Sequence, residues 1–306
     1  MKVVLTNLSN KLYENSRKRL NDSAEKFGIR NFNSFDFEDI KDTNFYISNK
    51  SILDNAIGTG AWLWKPYIIS ESLKELNEGD IVIYCDCGID IINELDPLLK
   101  ICSTQEPIMI FANGNLLNAE WTKRDSFILM NCDSKDYWYS LQCDASFGLF
   151  RKSDKTIHFL NTWMSYCTDE RILTDSDNIC GKNNLPGFIE HRWDQSVLSL
   201  LAKRFDIPLF RIPSQFGNHY KSPEFRIKGE FNCVNQYKQK QLTYYSRKYY
   251  NNSPYYQLLD HHRVKNGNIF LTDKKISTLE VIVRIFKKRF RWISGMSSRW
   301  YNKRFT

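Results

Sequence analysis

Short apolar runs alternate with amphipathic stretches along the first third of the chain. Residues 3–6 form a β-branched run, residues 12–27 place apolar side chains at helical spacing, and an extended pattern resumes at Ile29. Gly28 lies where such a helix would stop. The pattern predicts a strand, a helix and a second strand, which is the usual opening of an α/β fold with a parallel sheet.

Two stronger apolar runs follow. They are GDIVIYCDCG at residues 79–88 and PIMIFA at residues 107–112. Before them lie a glycine- and tryptophan-rich loop at 58–67 and a helical pattern at 68–76, with Pro66 in the position of a first-turn proline. Strands separated by helical segments predict an α/β fold with a mostly parallel central sheet flanked by helices.

The first of these runs ends at Cys85-Asp86-Cys87-Gly88, which is open to three interpretations. A zinc site needs four converging ligands, and the Cys85–Cys87 pair has no partner pair elsewhere. Residues two apart in a strand share a face, so we expect both thiols on one side and Asp86 on the other. Asp86 then either reaches a divalent cation or a ribose hydroxyl at the sheet edge, or caps the turn. The spacing favours ligand binding by Asp86 and buried packing for the thiols.

The later part of the chain is less regular. A strand-like run at 144–152 precedes a polar loop at 168–186, and loops of that length are usually functional or disordered. The pattern predicts an apolar helix at 196–204 with Asp194 as a candidate N-cap. Residues 221–267 are polar and rich in tyrosine, and no element is predicted for them.

The net charge of +8 is concentrated in one segment. Residues 274–306 contain ten Lys and Arg against one acid, Glu280, so the rest of the chain is close to neutral. This argues against diffuse nucleic-acid binding by the body of the protein. An apolar stripe at helical spacing in the same segment predicts a C-terminal basic amphipathic helix on an anionic membrane surface. The alternative is an ordinary terminal helix packed on the domain.

The cysteines and the first residues of the chain indicate the cellular compartment in which we expect the protein. The eight cysteines are scattered, and Met1 leads directly into a strand-like run without a secretory pattern. No apolar run reaches the roughly 20 residues that a transmembrane helix needs. We therefore expect reduced thiols and a cytoplasmic protein that is peripheral on the inner face of the cell membrane.

Five blocks of the chain occur in an order that resembles one group of proteins. They are residues 60–67, 80–88, 121–125, 146–152 and 191–196. They resemble bacterial glycosyltransferases that build capsule, O-antigen and lipopolysaccharide sugars, and the similarity does not extend to the tail. The resemblance implies an A-type glycosyltransferase (GT-A) fold. It also implies transfer of a sugar from a nucleotide-sugar donor, with a UDP-sugar as the first choice, to a glycan or lipid-linked oligosaccharide.

The resemblance raises a question about metal binding. In such folds an Asp-x-Asp motif at a strand end holds Mn²⁺ or Mg²⁺ on the donor diphosphate. Here the motif is Asp86-Cys87-Gly88, so the second carboxylate is missing. Asp90 and His219 are the available substitutes, and the resemblance favours a divalent cation held by Asp86 and His219.

The resemblance also implies the other site residues. Asp194 and Gln195 are the candidate catalytic pair and resemble the Asp-Gln pair of retaining enzymes, although an inverting enzyme would use a carboxylate such as Asp194 as general base. The candidate donor-binding residues are Asn7, Trp62, Trp64, Lys65, Asp86, Lys123 and Arg124. The candidate acceptor-binding residues are Ser146, Phe147, His191 and Trp193. Each of them has an ordinary alternative as a core residue, a cap or a solvated charge.

The resulting hypothesis divides the chain into three parts. Residues 1–225 form the transferase core, residues 226–273 are an extension that completes the domain, and residues 274–306 are the membrane-associated tail. The predicted function is sugar transfer in surface-polysaccharide biosynthesis, with retention favoured. The competing interpretation is a non-catalytic module that binds a nucleotide or a glycan, and the incomplete Asp-x-Asp motif is its best argument.

Overall fold

The computed structural model describes residues 1–54, 57–217 and 250–262, together with the backbone of residues 264–265 and 268–269. The predicted position of His219 and the basic tail at 274–306 lie outside these residues. In the described part of the chain, no helix has both the length and the apolar character needed to cross a membrane. The seven cysteines in this part are all free thiols.

Strands and helices alternate through the first half of the chain, as the sequence predicts. The strands are β1 Val3–Ser9, β2 Phe32–Asp36, β3 Ile81–Cys85, β4 Ile89–Ile91, β5 Ile108–Leu117, β6 Leu141–Arg151, β7 Leu209–Arg211, β8 Leu259–His261, β9 Val264–Lys265 and β10 Asn268–Ile269. The helices are α1 Glu14–Lys26, α2 Phe37–Lys41, α3 Asn44–Ser48, α4 Lys50–Leu53, α5 Gly58–Ala61, α6 Trp64–Lys74, α7 Asp96–Thr104, α8 Asn118–Trp121, α9 Arg124–Leu129, α10 Lys135–Trp138, α11 Asp154–Cys167, α12 Glu170–Leu173 and α13 Trp193–Arg204. A 3₁₀ turn at Lys11–Tyr13 precedes α1.

Six strands form the central sheet in the order β2-β1-β3-β6-β5-β7. Strands β1, β2 and β3 pair in parallel, as do β5 and β7, whereas β6 runs antiparallel to both of its neighbours. The sheet is therefore mostly parallel and lies between helical layers, which confirms the predicted α/β class with a mostly parallel central sheet flanked by helices. Because β6 is reversed, its early residues lie at the same edge as the carboxyl end of β3.

Each face of the sheet buries its own apolar cluster. On one face, the core is built around α6, α11 and α13, with fully buried Ile68, Trp163 and Leu200. On the other face, the core includes Leu20 of α1 and Leu98 of α7. Burying one large apolar side chain contributes about 1.5–3 kcal/mol, so the two layers fix the sheet and its loop edge firmly.

Residues 250–262 return to this domain and complete one side of it. Strand β8 pairs antiparallel with β4, and the side chain of Gln215 bonds both the N–H and the carbonyl of His261, each at 2.9 Å. The Tyr255 hydroxyl donates to the carbonyl of Arg211. The return strand brings His261 and His262 to the edge of the sheet beside Gly88, where His262 N–H donates to the Gly88 carbonyl at 2.8 Å.

Candidate active site

A cleft of about 640 Å³ opens at the carboxyl edge of β1 and β3. Its polar wall carries Lys65, Asp86, Asp144, Ser146, Asp194 and Gln195. Aromatic side chains from four separate parts of the chain also line it, namely Tyr13, Trp62, Trp193 and Phe216. The cleft lies where open α/β sheets usually bind ligands, and it unites residues from four of the five sequence blocks.

Asp86 follows β3 directly and faces this cleft, as the sequence predicts. The register pairs Cys85 with Phe147, so Asp86 comes opposite Ser146, whose carbonyl accepts the Asp86 N–H at 2.7 Å. The Tyr84 hydroxyl donates to Asp86 Oδ1 at 2.5 Å, and one third of the Asp86 side chain is exposed. Burial, and then the Asp86 carboxylate, raise the pKa of Tyr84 well above its usual value, so Tyr84 remains a donor.

Lys65 is buried at the centre of the polar wall. Its ammonium donates to the Ala145 carbonyl at 3.0 Å and lies 3.3 Å from Asp194 Oδ2 and 3.4 Å from Asp86 Oδ1. Burial alone would lower the pKa of Lys65, but the two carboxylates outweigh it and the pKa is raised. Lys65 therefore stays charged and joins Asp86 on β3 to Asp194 on α13, although these residues are far apart in sequence.

Asp194 lies in the first turn of α13 and is almost fully buried. It does not serve as the N-cap, because α13 begins without a side-chain cap and Arg192 holds that position. Burial, and then repulsion from Asp86, raise the pKa of Asp194 to about 7 despite the opposing effect of Lys65. A carboxyl group with this pKa exchanges its proton near neutral pH, which is the property expected of a general acid or base.

Gln195 is oriented by a chain of buried side chains that the sequence did not indicate. Its Nε2 donates to Gln142 Oε1 at 2.9 Å, and Gln142 Nε2 donates to Asn118 Oδ1 at 2.8 Å and Thr122 Oγ1 at 3.0 Å. The donors and acceptors of this chain are mutually consistent, which leaves the Gln195 carbonyl oxygen for the cleft. A single polar residue inside a strand does not indicate that it orients another side chain, so the role of Gln142 could not be predicted from the sequence.

The loop at 58–67 contains a left-handed turn. All five residues from Gly58 to Trp62 have φ between 50° and 86°, including the non-glycine residues Thr59, Ala61 and Trp62. Left-handed helical backbone costs roughly 1–2 kcal/mol for each L-residue that adopts it. A Cβ on Gly58 would lie 2.3 Å from the Trp62 ring and one on Gly60 would lie 2.7 Å from Leu53 Cα, so both glycines are required sterically.

The missing second carboxylate has a structural reason. A Cβ on Gly88 would lie 2.9 Å from the backbone oxygen of His262, so the return of residues 250–262 excludes a side chain at this position. Asp90, the nearby substitute, points away from the cleft lining and is held by Arg19 and by His262 Nε2 at 2.9 Å. Burial would raise the pKa of Asp90, but hydrogen bonds from these two partners lower it overall.

We tested whether the described residues fit a divalent cation. Gly88 cannot carry a ligand, Asp90 is engaged elsewhere, and the ammonium of Lys65 already lies against Asp86 and Asp194. Among the described residues, no group of three or more His, Cys, Asp or Glu side chains is placed to hold a metal. These residues do not fit a preassembled metal site, and His219 lies outside the described chain.

Several predicted site residues lie away from the lining because structural contacts occupy them. Asn7 is buried in β1 and bonds Asn21, and Trp64 is buried with its indole N–H on the Gly58 carbonyl at 3.3 Å. Phe147 packs in the core beside Phe111. The sequence allowed a buried structural role for each of these residues as the alternative to ligand binding. It could not decide between the two, because it does not show which face of a strand or helix is buried.

Three further candidates anchor the long loop that the sequence predicts at 168–186. Lys123 Nζ donates to the Ser176 carbonyl at 2.9 Å, and the Arg124 N–H donates to Asn184 Oδ1 at 2.7 Å. His191 is buried between the Lys123 N–H and the Leu173 carbonyl, and burial lowers its pKa to about 3. These residues organise the wall behind the cleft, whereas Ser146, Trp193, Asp194 and Gln195 line it directly.

Sequence comparisons and structure comparisons with known proteins give different results. No protein-family model matches the chain, and no curated protein sequence matches it. Similar solved structures include the apo WbbM bifunctional glycosyltransferase, at 8% identity and a TM-score of 0.44, with 85% of this chain and 45% of that chain covered. Apo mouse xyloside xylosyltransferase 1 aligns at 11% identity and a TM-score of 0.43, with 85% of this chain and 97% of that chain covered. The chain thus spans less than half of the first of these glycosyltransferases and nearly all of the second.

Proposed function

We propose that the protein is a glycosyltransferase that binds a nucleotide-sugar donor in the cleft at the carboxyl edge of the sheet. The observation that carries this proposal is the buried contact of Lys65 with both Asp86 and Asp194. It joins a carboxylate at a strand end, where donors enter such folds, to a carboxyl group that titrates near neutral pH. A buried carboxyl group with a raised pKa, in contact with a lysine and lining a cleft, is an arrangement found at active sites.

The proposed roles follow from position. Asp86 and Ser146 face the donor, and the ammonium of Lys65 fixes both carboxylates at defined distances. The carbonyl oxygen of Gln195 faces the sugar, where it stabilises the positive charge that develops at the anomeric carbon. In an inverting reaction, Asp194 would be the general base for the acceptor hydroxyl. The resemblance of the Asp194-Gln195 pair to retaining enzymes supports retention, in which the departing phosphate takes the acceptor proton.

The finer biological assignment is also a proposal. The five sequence blocks support a role in capsule, O-antigen or lipopolysaccharide assembly, with a hexose or related sugar passed to a growing, lipid-linked glycan. Membrane attachment through residues 274–306 would bring the cleft to such an acceptor. Vesicle flotation of the full chain should therefore require anionic lipid, and Gln substitutions at Arg284, Lys287, Lys288 and Arg291 should weaken it; equal flotation of both proteins would remove the membrane role.

A donor panel tests the central claim. Purified protein is mixed with UDP-, GDP-, CMP- and dTDP-sugars, in Mn²⁺ or in EDTA, while donor hydrolysis and the thermal shift are measured. We expect one donor to give both signals and Asp86→Asn to lose them, whereas Lys182→Ala, which removes an exposed charge distant from the cleft, should not. If no donor produces hydrolysis or a shift in either condition, the transferase proposal fails.

A binding module is the second candidate, and Gly88 is the observation that favours it. The described residues alone form no preassembled cation site, and this is compatible with recognition of a nucleotide or glycan that is never turned over. The same panel separates the two functions. Saturable binding of a nucleotide sugar without hydrolysis, and without transfer to any sugar acceptor, would support the module.

A further inference from the structure

Two tryptophans meet inside the cleft. The ring centroids of Trp62 and Trp193 are 5.1 Å apart, with their planes inclined at 44°, and both side chains are only partly buried. We call these two residues the tryptophan pair. Trp163, in contrast, is fully buried in the core, and Trp64 is buried outside the lining. The tryptophan pair packs against the core on one side and lines the cleft on the other.

The backbone holds both members of the tryptophan pair in an unusual conformation. Trp62 has φ 58° at the end of the left-handed turn, and Trp193 has φ 44° at the start of α13. Non-glycine residues with this backbone are uncommon, and they concentrate at ligand-binding and catalytic positions. Two bulky residues with the same unfavourable backbone, in contact with each other in one cleft, are difficult to explain by folding alone.

The left-handed turn also immobilises the Trp62 ring. Gly58 lies so close to that ring that a Cβ would come within 2.3 Å of it, and the Lys65 ammonium lies 6.0 Å from the ring centroid. The turn therefore holds the indole in place before any ligand arrives, and such preorganisation reduces the entropy lost on binding.

The surroundings of the tryptophan pair define the chemistry of a fitting ligand. The indole faces are apolar and carry negative charge density, which suits the slightly positive C–H face of a sugar ring. Asp194 and Gln195, the residues that follow Trp193, bring a carboxyl group and an amide carbonyl oxygen to the lining, where they can accept hydrogen bonds from hydroxyls at the rim of the same sugar. A pyranose has both kinds of surface, whereas a phosphate or a lipid chain has only one.

We propose that Trp62 and Trp193 form a stacking platform for a pyranose ring in the cleft. This inference rests on the proposed function in taking the ligand to be a carbohydrate. Two sources offer that ring, the acceptor glycan and the sugar of the donor. The donor sugar is already anchored through its diphosphate, whereas the sugar rings of an acceptor glycan depend more on stacking for affinity, so the acceptor is the occupant that we expect.

Fluorine NMR of the full-length protein labelled with 5-fluorotryptophan tests the platform. The chain has eight tryptophans, and the resonances of the tryptophan pair are assigned with Trp62→Phe and Trp193→Phe. The probes are UDP, a UDP-sugar and neutral oligosaccharides. A shift of the paired resonances by neutral oligosaccharide supports acceptor stacking, and a shift by UDP-sugar but not by UDP supports stacking of the donor sugar. Shifts produced by UDP alone, or by no probe, overturn the proposal.

Kinetics of matched variants give a second readout. We expect Trp193→Ala to raise the sugar-acceptor KM roughly tenfold while the Kd for UDP changes less than about twofold. Trp193→Phe keeps an aromatic face and should retain most of the affinity. Trp138→Phe is the control, because Trp138 lies outside the cleft against Arg124. Equal loss of UDP affinity in Trp193→Ala would overturn the platform.

The two proposals fail in different ways. If the donor panel shows no hydrolysis while neutral oligosaccharides still shift the paired resonances, the platform stands and the transferase proposal falls. If a donor is hydrolysed but the tryptophan pair responds to no sugar, the transferase proposal stands and the platform is wrong.

Discussion

The ammonium of Lys65 lies 3.3 Å from the buried carboxylate of Asp194, yet burial and the nearby Asp86 still raise the pKa of Asp194 to about 7. The single positive charge of Lys65 therefore cannot balance the negative charges of both Asp86 and Asp194. The consequence is a folded protein that takes up a proton at Asp194 in the neutral range, and this links the stability of the fold to the chemistry of the cleft.

The first prediction concerns stability and pH. An unfolded Asp titrates near 3.9, so between about pH 4 and 7 the folded state binds more protons at Asp194, and stability falls as pH rises through that window. Asp194→Asn removes this dependence. The free energy of unfolding of the variant minus that of the wild type should therefore increase from pH 4.5 to pH 7.5, by on the order of 2–4 kcal/mol. Urea unfolding at several pH values measures it.

The stability of Asp194→Asn has to be compared with that of the wild type at each pH, because His191 also makes the stability of the protein depend on pH. Its folded pKa is lowered to about 3, so its contribution has the opposite sign: stability is lost as pH falls below the unfolded value near 6.5. This effect is present in both proteins and cancels in the difference. A difference that is constant across the range would contradict the assignment of a raised pKa to Asp194.

The second prediction concerns Gly88. Because a Cβ there would lie 2.9 Å from the His262 oxygen, Gly88→Ala should destabilise the fold by about 1–3 kcal/mol and lower the melting temperature by roughly 3–8 °C. Gly88→Asp should be at least as destabilised and should not acquire Mn²⁺-dependent donor hydrolysis. A stable Gly88→Asp variant that gains such dependence would show that residues 250–262 can yield space for a second carboxylate.

The sequence predicted the position of Asp86 correctly because a buried strand has a simple signature. A continuous apolar run followed by a polar residue and glycine is typical of a strand end, and β3 ends one residue before Asp86. The direction of β6 has no such signature, since strand orientation depends on the connection and the neighbours. The reversed β6 is what brings Ser146 beside Asp86.

Other features of the cleft depend on contacts between distant segments. In the sequence, Gly88 stands where the second carboxylate of an Asp-x-Asp motif would be. The structure shows that residues 250–262 pack against this position and leave no space for a side chain. The glycines correctly marked an irregular segment, but the helix predicted from residue 68 begins at Trp64, and propensity alone would not place Thr59, Ala61 and Trp62 in left-handed backbone. Such local violations of propensity are expected mainly at functional sites.

The third prediction concerns the left-handed turn. Gly58→Ala should destabilise the protein by about 2–4 kcal/mol, because the substitution combines an unfavourable φ with a collision against the Trp62 ring. Gly28→Ala is the matched control: its φ of 86° is also positive, but nothing lies within 4 Å of the added Cβ. The difference between the melting temperatures of the two variants measures the destabilisation caused by the collision with Trp62. If both variants lose the same stability, the Trp62 ring moves away at no cost.

The fourth prediction concerns the chain that orients Gln195. Gln142→Leu leaves Gln195 Nε2 and Asn118 Oδ1 without their partner, and an unsatisfied buried polar group costs about 1–3 kcal/mol. The freed Gln195 amide should rotate, so kcat for donor hydrolysis should fall roughly tenfold or more while the KM for the donor changes little. Circular dichroism and steady-state kinetics on the same preparation separate misfolding from misorientation.

Thr122→Val is the matched control for this chain. It removes one acceptor of Gln142 but leaves the Asn118 contact at 2.8 Å, so Gln142 and Gln195 should keep their orientation. We therefore expect a modest loss of stability with kcat close to that of the wild type. If Gln142→Leu and Thr122→Val reduce kcat to the same extent, Gln142 acts through general packing of the cleft wall and does not position the amide of Gln195.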